Sequence, residues 1–346
     1  MPLALAGAAG CGPSARDDGN DTTDTTDGGP CSPGELICSG NDVVECDADG
    51  NPGDLVEACS APRTCSEGAC VDDGGCSDEA KLIYVVDNSN RLLSFDPNVL
   101  EAGGDPFTQL GTLDCPAGGA LDGSGAATPF SMSVDRSATA WILYNSGEIF
   151  HVPVDTVACT DSGFTPGQQG MELFGMGFVT DTAGGETEQL YISGGDAAGG
   201  PGGNLAVINP TSLDVSIIGA MRSDTENSAE LTGTGDAELY AFYPGLEETF
   251  VQQVNKASGA GTGTEFDYPG GLGTGGLFEG VVAWAFAQWG GKFYLFSTVQ
   301  DQFEGTTNST VRTIDPVGGQ STLELQNLPY MIVGAGVSTC APPIID

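Results

Sequence analysis

From residue 81 onward, short apolar stretches alternate with polar, glycine-rich turns, and the stretches recur in a fixed order. One kind alternates small with large residues: Ser131-Met132-Ser133-Val134, Gly175-Met176-Gly177-Phe178 and Ala283-Trp284-Ala285-Phe286-Ala287. Leu231-Thr232-Gly233-Thr234 and Val333-Gly334-Ala335-Gly336-Val337 follow more loosely. Successive side chains of a strand point to opposite faces. A strand apolar on both faces is buried on both, and a small-residue face admits a close neighbour. A second kind ends in aromatic or branched residues: Leu82–Val86, Ala140–Tyr144, Gln189–Ser193, Glu238–Tyr243 and Lys292–Ser297. A third carries a short phrase ending in a turn former: Ser94–Pro97, His151–Val154, Val207–Pro210, Gln253–Lys256 and Thr313–Pro316. With Asp96, Pro153, Asn209, Asn255 and Asp315 taken as equivalent, the steps are 57, 56, 46 and 60 residues.

A strand phrase recurring at that period predicts an all-β fold, a five-bladed β-propeller over residues 81–342. Each repeat supplies an inner, a second, a third and a ragged outer strand. The first repeat lacks an inner strand, and Tyr330–Cys340 is an inner strand with nothing after it. Joining the two closes a ring. Six blades are the alternative, should Ala257–Gly280 hide further strands.

Composition sharpens this reading. Gly 54 and Pro 20 among 346 residues, with 39% apolar residues, suit many short strands and turns. The net charge of −39 disfavours nucleic acid and anionic lipid surfaces and attracts cations. No stretch of about 18 apolar residues is present to span a bilayer.

Seven of the eleven cysteines fall between Cys31 and Cys76, with 6, 7, 12, 5, 4 and 5 residues intervening. No pair shows zinc-knuckle spacing, and His151 is the single histidine. Residues 31–76 therefore read as a disulfide module of an oxidising compartment. Cys31, Cys38, Cys46, Cys59, Cys65 and Cys70 allow fifteen pairings into three bridges. Cys76 precedes the first blade and Cys340 ends the closing strand, so a bridge between them would lock the ring. Cys115 and Cys159 lie near the outer edges of the first two blades and form the second expected pair. Asp47-Ala48-Asp49-Gly50-Asn51 opens like a calcium loop, but Ala58 stands where an EF-hand requires glutamate. An acidic turn is the expectation, no cofactor is implied, and calcium is left as the weak exception.

Residues 1–11 resemble the end of a bacterial lipoprotein signal peptide, with Ala8-Ala9-Gly10 before Cys11 as the lipidated residue. Ala8 departs from the usual leucine, and no Lys or Arg precedes the apolar stretch. Gly12, not Asp, follows the cysteine, which points to the outer membrane or cell surface; otherwise the protein is secreted. Residues 12–30 are polar, acidic and free of aromatics, the composition of a flexible linker.

Catalytic motifs are scarce. There is no Gly-x-Ser-x-Gly elbow, and His151 lies within a strand, where a structural role is expected. Asp135, Asp181 and Asp236 recur where inner strands hand over to second strands. They are candidate ligand-binding residues, although turn chemistry alone favours aspartate there. Several glycosidase families place acidic residues around the channel of a five-bladed propeller, so a carbohydrate-active hydrolase is the alternative to a binding or scaffold role. Trp141 and Trp284 are expected to pack between blades. Trp289, beside Gly290-Gly291, is the expected exposed aromatic for a ligand.

Ala283–Lys292 (AWAFAQWGGK) and Ile332–Pro342 (IVGAGVSTCAP), with the six-cysteine module ahead of them, resemble a family of uncharacterised secreted bacterial lipoproteins carrying a β-propeller. The resemblance implies fold and cell-surface address, with a protein or glycan partner, membrane contact only through the lipid anchor and no nucleic acid.

Overall fold

The structure is a computed structural model that describes residues 31–342, apart from 40–41, 60–62, 67, 73–75, 78, 196–201 and 277. The signal-peptide reading, Cys11 and the linker of residues 12–30 lie outside the described residues. The chain divides into two compact units, Met1–Asp72 and Asp73–Asp346. Cys76, expected at the end of the module, therefore belongs to the larger unit.

The smaller unit has strands β1 (Leu36–Ser39), β2 (Asp42–Cys46) and β3 (Pro52–Ala58) in one antiparallel sheet, and a hairpin of β4 (Arg63–Ser66) and β5 (Ala69–Asp72). Val43 and Val44 are buried while β3 is exposed along its length, so apolar burial is slight. Cys31–Cys46, Cys38–Cys65 and Cys59–Cys70 resolve the fifteen possibilities. In a unit this small such bridges carry stability that the core does not. Asp47 Oδ1 accepts the backbone N–H groups of Asp49 and Asn51, so the calcium-like segment is an aspartate-capped turn.

In the larger unit the sheets follow the repeat. The first holds β6 (Ile83–Asp87), β7 (Arg91–Phe95) and β8 (Phe107–Thr112), with the five-residue helix α1 (Pro97–Glu101) between the last two. The second holds β9 (Pro129–Val134), β10 (Thr139–Tyr144), β11 (Ile149–Pro153) and the two-residue β12 (Thr160–Asp161). The third is β13 (Phe174–Thr180), β14 (Glu188–Gly194), β15 (Asn204–Ile208) and β16 (Val215–Ala220). The fourth is β17 (Glu230–Gly233), β18 (Leu239–Tyr243), β19 (Thr249–Val254) and β20 (Gly261–Tyr268). The fifth is β21 (Glu279–Trp289), β22 (Lys292–Asp301), β23 (Thr307–Asp315) and β24 (Gln320–Gln326). Finally β25 (Ile332–Val337) returns to the first sheet and pairs with β6, Val337 opposite Ile83 and Gly334 opposite Val86. Among the described residues there are thus five four-stranded antiparallel sheets in this unit. Among the described residues of the stretch Ala257–Gly280, β20 forms the outer strand of the fourth sheet and Glu279–Gly280 open β21.

The inner strands touch in a circuit, β9 with β13, then β17, β21, β25 and back to β9. Period-two alternation fills the gaps between sheets. Ile83 and Val85 pack into the cluster shared with the fifth sheet, whereas Tyr84 and Val86 face the second. Three further clusters lie between the remaining neighbours. Among the described residues of this unit the buried side chains thus form five wedges, each made by two sheets.

The small residues of the inner strands let these edges meet. A Cβ on Gly177 would stand 3.0 Å from Thr232 Cα, and one on Gly175 2.5 Å from the carbonyl oxygen of Ala229. An inner strand has one open edge whose N–H groups need partners. Hydroxyls from neighbouring strands supply them: Phe178 N–H donates to Ser133 Oγ at 3.0 Å, and Gln288 N–H to Thr232 Oγ1 at 3.2 Å.

Cys76 bonds Cys340, and Cys115, after β8, bonds Cys159, before β12. With three bridges in the smaller unit, these place the protein in an oxidising, extracytoplasmic compartment. Among the described residues, no helix is long and apolar enough to cross a membrane.

Candidate functional site

Every inner strand runs in the same sense, so the turns after them gather at one end of the ring. There the turn after β9 (Asp135-Arg136-Ser137), the start of β14 and the residues after β25 meet. Asp135 organises its turn. Its Oδ1 accepts the N–H of Ser137 at 2.9 Å, the hydroxyl of Ser137 at 2.7 Å and the N–H of Thr139 at 3.0 Å. Its Oδ2 accepts the indole N–H of Trp141 at 3.0 Å. Ala138 takes φ +58°, the left-handed conformation that this tight reversal requires. Trp141 is buried, tilted at 53° against His151 with centroids 4.0 Å apart, and packs edge-to-face with Phe178. His151 has its Nε2 buried without a hydrogen-bond partner, and burial lowers its pKa despite Asp135 and Asp161, so it packs as a neutral ring.

Arg136 ties three sheets together. Its backbone N–H donates to Glu188 Oε1 at 3.0 Å, and its Nη1 to Thr339 Oγ1 at 3.0 Å. The Thr339 hydroxyl in turn donates to Glu188 Oε2 at 2.8 Å. These groups frame a cleft of about 400 Å³ that Ser137, Glu186 and Pro210 help to line. Burial pushes Glu188 up to about 7; the two hydrogen bonds and the Arg136 charge oppose it, while Asp135 reinforces it.

That shift has a sign that can be tested. An unfolded Glu188 ionises near its ordinary 4.5, while the folded one holds its proton to about 7. Between those values the native state binds more protons, so stability falls as pH rises through the window, by about 3 kcal/mol in all. Glu188→Gln, which keeps the neutral shape, is expected to remove that part of the slope. Urea midpoints at pH 5 and pH 8 check it; identical slopes in the two proteins would refute the shift.

The other predicted residues are placed differently. Asp181 and Asp236 occupy the equivalent turns of the third and fourth sheets, both exposed, and neither lines the cleft. Their turns are laced by backbone: Gly184 N–H donates to the Gly235 carbonyl at 2.7 Å, and Lys256 Nζ to that of Thr180 at 2.9 Å. The three aspartates therefore do not converge on one cavity. Trp289, expected to be exposed, is only 5% accessible, because its indole N–H donates to the Lys81 carbonyl at 2.7 Å and its rings fill the wedge with the first sheet. Trp284, expected between blades, packs half-buried against the cluster between the fourth and fifth sheets and also lines a second, smaller cavity at the opposite end of the inner strands. Arg136, Glu188 and Glu230 were not singled out from sequence. For Glu230 a signal existed, an acidic residue opening an inner strand; for Glu188 none did.

No protein-family model matches the chain, and no curated protein sequence matches it either. Solved structures of similar shape include an endo-arabinase from Bacteroides thetaiotaomicron, 13% identical over 56% of this chain and 75% of that one, with a TM-score of 0.37. A protein from Lactobacillus plantarum is 14% identical over 88% of this chain and 87% of its own, at 0.33. The Dos1 propeller is 9% identical over 77% and 72%, also at 0.33. At these values the likeness carries no functional argument.

Proposed function

We propose that this is a cell-surface binding or scaffold protein, anchored by a lipid on Cys11 and presenting the Arg136–Glu188 cleft to a protein or glycan. The likeness of residues 8–11 to a lipoprotein signal and of the chain to propeller-bearing lipoproteins supports the anchor. One observation carries the binding role: both oxygens of Asp135 and both of Glu188 are engaged by donors of the protein itself. A nucleophile or general base must turn a free lone pair toward its substrate. Asp135, whose Oδ1 accepts three donors and whose Oδ2 accepts the Trp141 indole, is held by its own turn and shapes the surface instead.

A carbohydrate-active hydrolase is the second reading, favoured by Glu188 titrating near 7 beside Asp135. Glycan-array binding and pull-down from cell envelopes with the Cys11→Ser chain separate the two. The binding reading expects retention of a defined ligand, weakened about tenfold by Arg136→Ala, the loss of one or two charge-assisted hydrogen bonds. Release of reducing sugar by the wild type but not by Glu188→Gln would replace it with the hydrolase. Ligand retention unchanged in Arg136→Ala would move the site elsewhere.

A further inference from the structure

The geometry points to a second binding site, at the end of the ring where the inner strands begin, for a small organic ammonium ion. There a cavity of about 120 Å³ is lined by Phe130 of β9, Glu230 of β17, Val282 and Trp284 of β21 and Val333 of β25. Phe130, Trp284 and Val333 are half-buried and Val282 is exposed, so the walls are aromatic and aliphatic. Glu230 is the only ionisable residue among those lining it, and it is 3% accessible.

Three strands hold that carboxyl in place. The Ser131 hydroxyl of β9 donates to Oε2 at 3.0 Å, and the backbone N–H groups of Met176 in β13 and of Leu231 donate to the same side chain. Capping the open edge of β13 does not by itself call for an acid. At equivalent contacts Ser133 and Thr232 do the same work with a hydroxyl. Burying a carboxyl instead raises its pKa well above the ordinary value and costs stability whenever it ionises. An arriving cation offsets that cost, and the donors already on the carboxyl favour its charged form.

The walls select the kind of cation. A metal ion needs several oxygen ligands, and this cavity offers one carboxylate among apolar groups; among the described residues no cluster of three or more acidic, histidine or cysteine side chains could hold one. An alkylated ammonium is satisfied by one carboxylate, aromatic faces and methyl-to-aliphatic contact. The volume is below that of drug-sized pockets, which limits the occupant to a small ion or head group. A net charge of −39 enriches cations around the mouth.

Binding requires the carboxylate, so the ion competes with the proton on Glu230 and affinity rises with pH. The neighbours facing it, Ser131, Met176, Ala283, Trp284 and Val333, are not ionisable. The test is calorimetric titration of the full chain with tetramethylammonium chloride, in two buffers of different ionisation enthalpy. The expected result is saturable binding with proton release, absent with sodium chloride and with the neutral isostere tert-butanol. Glu230→Gln and Trp284→Leu are each expected to weaken it about tenfold or more, and the second variant serves if the first fails to fold. No saturable heat, equal binding of tert-butanol, or unchanged affinity in a folded variant would overturn the proposal. None of these outcomes bears on the cleft at the other end of the ring.

Discussion

Replacing Cys76 and Cys340 together by serine is expected to lower the unfolding free energy by about 5 kcal/mol, the largest effect of any change considered. The bond closes a span of 264 residues, and its main action is on the unfolded chain, whose freedom it limits. That cost grows only as the logarithm of loop length. Removing Cys115–Cys159, across 44 residues, is accordingly expected to cost about 1.5 kcal/mol less. The native ring does not depend on the sulfurs for its geometry. The β25–β6 ladder and the hydrogen bond from Ser338 Oγ to the Ala80 carbonyl, 2.7 Å, already seat the closing strand. Urea denaturation of the two double variants measures both numbers. A Cys76/Cys340 variant within about 1 kcal/mol of wild type would show that the unfolded chain is held together by something else.

Gly336→Val is expected to cost about 3 kcal/mol or more, for the opposite reason: it acts on the folded state. A Cβ at this position would lie 2.9 Å from Ser133 Cα, from the Ser133 carbonyl carbon and from Val134 N. All three are backbone of β9, which cannot swing aside as a flexible side chain would. The two inner strands must part, and overpacking of this kind typically costs 1–3 kcal/mol before the two γ-methyls are added. Gly119→Ala is the control. Its Cβ would find the Gly125 carbonyl at 3.6 Å, an ordinary contact, and a change within about 0.5 kcal/mol is expected. If thermal melts of the two variants coincide, the small face of β25 is not what lets β9 approach.

Alternation along the strands made the ring readable. Gly334 and Gly336 on one face and Ala335 and Val337 on the other announce a strand wedged between two sheets, and the missing inner strand of the first repeat names its place. The pairing Cys76–Cys340 follows from that closure, and Cys115–Cys159 from the nearness of the outer edges of the first two blades. The module offered no such geometry, and its three bridges stayed among fifteen. The sites were harder because a pattern reports which face a side chain takes, not what stands opposite. Trp289 reads as exposed beside Gly290-Gly291, yet its partner is the Lys81 carbonyl, 208 residues away. Glu188 lies between Arg136 and Thr339, 52 and 151 residues distant, and nothing nearby in the chain marks it. Asp135 was found by its recurrence, but recurrence reflected the turn; the indole that occupies its second oxygen was visible only in the fold.

Because β6 finds its neighbour at the far end of the chain, the order of synthesis matters. A ribosome delivers four sheets and three-quarters of the fifth-to-close sector before the last strand exists, and until then β6 shows bare backbone along its axial side. Such an edge invites pairing with other chains. A stop codon just after Asn327 would therefore be more harmful than the loss of a similar length from the disulfide module, which leaves every ladder of the ring intact. The β25–β6 ladder, and with it the closed circuit of inner strands, can form only after Ile332–Val337 have been made.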